Sequence, residues 1–219
     1  MDIQSLIQFL TNLQENNHKD WFDLNRIQYD QLRADWIQLA ANIIKQTADF
    51  DDDVLELDPK KCIFRINRDV RFSKNKAPYK NNFGISLSKG GKNTDFCGYY
   101  IHLQPGESFI AGGSYQPMPD KLAAIRQEID YNFDEFKSII EHKEFLKHFG
   151  TLTGDKLQRP PKGYDAENPA IEYIKHKGFL AFLKIDDKNL TEKELSKHCL
   201  SAFKAMKPLN DFLNRAILG

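Results

Sequence analysis

The residues able to do chemistry crowd into one stretch, Phe64-Arg65-Ile66-Asn67-Arg68-Asp69-Val70-Arg71-Phe72-Ser73-Lys74-Asn75-Lys76-Ala77-Pro78-Tyr79-Lys80. Guanidinium groups can fork onto phosphate or carboxylate oxygens, and the interleaved Phe64, Phe72 and Tyr79 offer faces on which a base or another ring can stack. From Lys60 to Lys92 ten Lys or Arg stand against one acid, Asp69. The other 186 residues carry 21 bases and 30 acids, so a net charge of zero conceals a segment of +9. Clustered in space, such charge repels itself unless acids elsewhere in the fold or an anionic partner balance it.

Roles follow from residue type. Arg65, Arg68, Arg71, Lys74 and Lys80 are the candidate anion ligands, with Ser73 and Tyr79 as hydroxyl donors. Asp69 either orients an arginine by ion pairing or, if desolvated, acts as a base. A second constellation is the pair of segments Gly98-Tyr99-Tyr100-Ile101-His102 and Ala111-Gly112-Gly113-Ser114-Tyr115, where glycines inside strands mark bulges or close backbone approach. Tyr100 is a candidate ligand contact and His102 a candidate for proton transfer. A histidine between strand apolars is, however, more often a satisfied core group. Arg126 sits beside the apolar stripe of the next helix, which suggests partial burial with an anionic partner.

Three functions compete for these residues. The first is a site for a phosphate- or carboxylate-bearing small molecule, with no reaction type implied and enzyme status left open. The second is a nucleic-acid-binding module, expected to be weak because the whole-chain pI is about 7.0, whereas dedicated binders usually exceed ~9. The third is a structural or interaction protein whose arginines pair internally with helix acids. Other chemistries lack their residues. There is no G-x-G-x-x-G, no G-x-S-x-G and no H-E-x-x-H, and Lys89-Gly90-Gly91-Lys92-Asn93-Thr94 lacks the first glycine and the magnesium-binding hydroxyl of a P-loop. The six histidines and three cysteines show no metal spacing, so neither metal nor cofactor is expected. Cys62, Cys97 and Cys199 read as buried thiols, and a cytoplasmic setting is expected. No apolar run approaches the ~18–20 residues of a membrane helix, so no membrane partner is expected. Oligomeric state is not legible.

The elements that must position these groups run helices first, then clustered strands, then helices with one late strand. This order argues an α+β fold, an antiparallel-rich central sheet packed by N-terminal and C-terminal helices, and one domain over 1–219. With only two valines, at 54 and 70, a buried parallel sheet is improbable. Ile3, Leu6, Ile7, Leu10 and Leu13 follow a helical period behind Asp2, and a longer helix carries Phe22, Tyr29, Leu32, Trp36, Leu39 and Ile43. Cys62 to Phe72 alternates as a strand would, most firmly as far as Ile66. Further strands are expected at 84–88, 96–104, 108–115 and 179–185. Asn132 with Glu135, and Thr191 with Glu194, read as capping boxes, and Pro208 should kink the last helix.

Nearly the whole chain resembles the family of conserved hypothetical proteins catalogued as a domain of unknown function, family 2461. The likeness rests on Phe9-Leu10, Asn16-Asn17 and Trp21-Phe22, then on Arg65 to Lys74 leading to Pro78-Tyr79-Lys80. It continues through Tyr99 to Leu103, Ala111-Gly112-Gly113, Pro117 and Leu122 to Arg126. Asn75 replaces the acid usual after Ser73-Lys74. The resemblance implies a single-domain cytoplasmic protein and brings no activity, substrate or cofactor with it. Its recurring polar residues coincide with the basic segment.

Overall fold

The structure, a computed structural model, describes all 219 residues. Four strands, β1 (Phe83–Ser88), β2 (Gly98–Leu103), β3 (Phe109–Ser114) and β4 (Phe179–Lys184), form one antiparallel sheet in chain order. The β2–β3 link is a tight turn at Pro105-Gly106, whereas β3 and β4 are separated by four helices. This is the α+β architecture that the element order implies. No helix is long and apolar enough to cross a membrane.

The chain divides into two compact units, Met1–Leu87 with Tyr100–Ile110 and Lys184–Leu200, and Ser88–Tyr99 with Ala111–Leu183 and Ser201–Gly219. In the first, α1 (Ile3–Glu15) starts where the Asp2 carboxylate accepts from Gln4 N and Ser5 N, and it buries Ile3, Leu6, Phe9, Leu10 and Leu13. The long helix expected next is two helices, α2 (Lys19–Leu24) and α3 (Arg26–Thr47). Asn25 divides them: its backbone N–H and its side-chain Nδ2 both bond the Trp21 carbonyl, a local competition that ends the first helix. Trp36, Leu39, Ala40 and Ile43 of α3 are buried, in step with the predicted stripe.

The strand expected from Cys62 is corrected more deeply. Asp58 caps and Pro59 opens a four-residue helix, α4 (Pro59–Cys62), because proline fits the first helical position. Beyond it the chain forms an irregular ribbon with isolated antiparallel bridges, Ile63 to Ile85 and Asn67 to Tyr79. Between those bridges one side holds three residues (64–66) and the other five (80–84), so no continuous ladder can form.

The second unit contains α5 (Pro119–Tyr131), α6 (Phe133–Ile140), α7 (Lys143–Phe149), α8 (Ile171–Ile174) and the larger part of α9 (Glu192–Leu218). Ile125, Ile129, Phe136, Phe145, Phe179, Phe203, Met206 and Phe212 make its core. The Thr191–Glu194 capping box forms at the start of α9, and that helix runs unbroken through Pro208. The box expected at Asn132 does not form. Asn132 instead donates to Glu128, and the Glu135 carboxylate is held by a bidentate pair with Arg215, a stronger partner than a backbone N–H.

Candidate functional site

Around the tip of the ribbon the cations are held by the loop itself. Asp69 accepts a bidentate pair from Arg71, at 3.0 Å from Nε and 2.7 Å from Nη2. The guanidinium holds the Asp69 carboxyl below the usual carboxylate range. Asp69 is exposed and ion-paired, not desolvated as the base role would need. Arg68 donates to Ala77 O at 2.8 Å and Ser73 Oγ at 3.4 Å, within the same loop. Lys76 Nζ bonds Val70 O at 3.0 Å. These ties leave Phe72 at the tip 96 % exposed, with the Arg71 guanidinium 5.8 Å from its ring centroid. Arg65 and Lys74 are exposed and make no hydrogen bond or ion pair of their own. No helix carboxylate pairs with Arg65, Arg68, Arg71, Lys74 or Lys76.

The root of the ribbon is core. Tyr79 is buried, its ring stacked on Phe22 at 4.0 Å, and its main chain is held by Asn17. Lys80 follows, its ammonium 5.4 Å from the Phe64 centroid. Phe64 meets the Tyr100 ring edge-on at 5.9 Å, so Lys80 and Tyr100 are both neighbours of Phe64 in the first unit.

Tyr100, His102 and Gln104 follow at period two on the half-buried face of β2 and just past its end, joined by hydrogen bonds. Tyr100 Oη lies 3.1 Å from His102 Nδ1, and His102 Nε2 lies 3.0 Å from Gln104 Oε1. Gln104 Nε2 donates to the Glu107 carboxylate, and the His102 ring stacks on Phe109 at 4.5 Å. Burial pushes the Tyr100 hydroxyl up to about 12. It also lowers the His102 pKa below the usual 6.5, partly opposed by the bond to Gln104 and the charge of Glu107. Burial therefore favours the neutral form of both rings. Gly84 makes room for this arrangement: a Cβ there would stand 2.8 Å from Tyr100 Oη and 3.1 Å from Phe64 Cδ2.

Arg126 belongs to the second unit. It is half-buried and donates to two carbonyls, Ile174 O at 2.7 Å and His176 O at 3.0 Å, instead of to an acid. The structure thus sets Lys80 and Tyr100 each against Phe64, joins Tyr100 to His102, pairs Arg71 with Asp69 and Arg68 with Ser73, and sets Tyr79 in the core. Gly84, Gln104 and Glu107 were not among the residues singled out for the site. The period-two run Tyr100-x-His102-x-Gln104 is the signal that exposes Gln104. All three cysteines are free and buried, and no group of three or more His, Cys, Asp or Glu is placed to hold a metal ion.

An antiparallel α+β fold with a basic ribbon beside a Tyr–His face defines the class to which the chain can be compared. The chain belongs to the family described as conserved hypothetical protein (DUF2461), whose family model matches residues 5–212. No curated protein and no solved structure matches it.

Proposed function

We propose that the chain binds an anionic small ligand, bearing a phosphate or carboxylate, through the basic ribbon and the adjoining Lys80–Tyr100–His102 face. One observation carries this reading: Arg65, Arg68, Arg71, Lys74 and Lys76 share a single carboxylate partner, Asp69. Charge left over in this way recruits an anion, and each charge-assisted hydrogen bond to it contributes roughly 1.5–3 kcal/mol. The guanidinium of Arg65, which acts on Asp69 only through space, and the ammonium of Lys74 are the groups with most capacity to spare. The test is thermal unfolding in inorganic phosphate against chloride at equal ionic strength. Phosphate should raise Tm of the wild type and leave an Arg65→Ala/Lys74→Ala double variant unmoved. Equal Tm values for the wild type in both salts reject the reading.

A second reading, nucleic-acid binding, is favoured by one feature, the exposed Phe72 ring beside Arg71 at the ribbon tip. Stacking of a base on such a ring contributes ~1–3 kcal/mol, and the phosphate contacts make affinity fall steeply with salt. Single-stranded oligonucleotide binding that persists at physiological salt and weakens in Phe72→Ala would put this reading first.

A further inference from the structure

Tyr100 offers a ligand only what its own hydrogen bond leaves over. The Glu107 carboxylate can only accept, so Gln104 must turn its Nε2 toward it and its Oε1 toward His102. An amide oxygen only accepts, so His102 carries its proton on Nε2. Its Nδ1 is then a bare lone pair, and the hydroxyl of Tyr100, 3.1 Å away, donates to it. The one phenolic hydrogen is used up. Tyr100 Oη is left an acceptor, with its ring held in place by Phe64 and by the absence of a side chain at Gly84.

We infer that Tyr100 and His102 make this face selective for anions that carry a hydroxyl or amine donor close to the charged group, such as hydroxy acids, amino acids or polyol phosphates. The inference rests on the anion-binding reading and narrows its ligand class. The donor bonds Tyr100 Oη. The charged group lies toward the cations, among which Lys80 stands over the same Phe64 ring that Tyr100 meets. An anion with no donor would set an oxygen lone pair against that of Tyr100 and lose the contact.

The polarity of the chain reverses with one proton. Protonated at Nδ1, His102 donates to Tyr100 Oη, and the phenolic O–H turns outward to become a donor itself. The groups meeting the imidazole are Tyr100 and Gln104 along β2, Phe109 of β3, and, through Gln104, the Glu107 carboxylate of the turn, which is the charge acting on it. Selectivity for a donor-bearing anion therefore belongs to neutral pH and should fade in acid.

The experiment is calorimetric titration of the full chain with two matched pairs of monofunctional probes, lactate against 2-methoxypropionate and 2-hydroxyethyl phosphate against 2-methoxyethyl phosphate. Within a pair the charge is the same and only the donor differs. At pH 8 the hydroxyl member of at least one pair should bind about 3- to 10-fold tighter, the value of one neutral hydrogen bond. Tyr100→Phe should abolish that ratio by removing the acceptor that the hydroxyl probe uses. In the wild type, which needs no variant, the ratio should shrink toward one as pH falls through the His102 titration, followed in the same samples by imidazole NMR. Equal affinity within both pairs at pH 8, or a ratio that survives Tyr100→Phe, overturns the inference and leaves anion binding intact. Failure of all four probes to bind overturns both.

Discussion

Asn17 and Tyr79 exchange two hydrogen bonds across 62 residues of sequence: Tyr79 N donates to Asn17 Oδ1 and Asn17 Nδ2 donates to Tyr79 O, each at 3.0 Å. A side-chain amide here does the work of a neighbouring strand, in the place where the ribbon has lost its ladder. With the Phe22–Tyr79 stack it ties the root of the basic segment to the α1–α2 corner. Asn17→Ala leaves the partly buried Tyr79 N–H and C=O unpaired and should cost about 1–3 kcal/mol. Asn17→Asp should cost at least as much, because a carboxylate keeps the acceptor and sets a second lone pair against Tyr79 O. Urea unfolding of both variants checks this. An unchanged midpoint in both would mean that water replaces Asn17 without loss.

Gly113 in β3 has φ +107°, and a Cβ on it would lie 2.0 Å from Phe179 O, a backbone atom that cannot step aside. Backbone strain and overpacking each cost ~1–3 kcal/mol, so Gly113→Ala should lose roughly 3 kcal/mol or more. Gly106, at φ +74° with nothing within 4 Å of the same position, separates the two causes. Gly106→Ala should cost only the ~1–2 kcal/mol of a left-handed non-glycine residue. Similar losses at both sites would show that the close approach to β4 contributes nothing.

His102 and His176 are both shifted below the usual 6.5, chiefly by burial, and His176 is 2 % exposed between Tyr173 and Phe179. The unfolded chain therefore binds protons that the folded chain refuses as pH falls below about 6.5. Their contribution to stability is complete above that value and declines beneath it, down to the folded-state pKa of each ring. Carboxylates stabilised by pairing, Glu135 and Glu172 among them, lose their share only below the usual 4.5. The window between pH 5 and 6.5 belongs to the histidines. Denaturant midpoints should fall across it, and an imidazole NMR titration should find both rings titrating below the usual 6.5. A midpoint that is flat from pH 8 to 5 contradicts this.

Much of the fold was legible because its signals are local. Asp2 before an apolar period, Thr191 three residues before Glu194, and Pro105-Gly106 between alternating runs each specify an element from neighbours in sequence. Alternation from Tyr99 to Gln104 gave the face that carries Tyr100 and His102. The errors come from competition between signals. Alternation beginning at Cys62 overran Asp58-Pro59, which starts a helix there, and the two-residue excess on the far side of the ribbon shows only once the pairing partner is known. Glu135 met Arg215 across 80 residues, which no capping pattern could anticipate. For the same reason Tyr79, basic in its neighbourhood and aromatic in type, read as a ligand contact. Its stacking partner lies 57 residues earlier, at Phe22.

Arg126 shows the consequence of such distant partners most clearly. Its guanidinium, half-buried on α5, spans the last carbonyl of α8 and the carbonyl two residues on, Ile174 O at 2.7 Å and His176 O at 3.0 Å. The final carbonyls of a helix have no partner within it, and a four-residue helix has little else to hold it in place. Burial lowers the guanidinium's pKa from its ordinary value, yet that value is high enough for the charge to persist at any working pH. Arg126→Ala removes two charge-assisted hydrogen bonds at once and should cost about 2–4 kcal/mol, read as a shift in urea midpoint with unchanged slope. Arg126→Lys keeps the charge but not the planar fork. One ammonium cannot bond both carbonyls in the same geometry, so it should recover less than half of the loss. Amide exchange should quicken at the backbone N–H groups of Ile174, Lys175 and His176, which close this turn onto Ala170, Ile171 and Tyr173. If Lys restores full stability, charge alone is what the site requires, and the bidentate account of Arg126 fails.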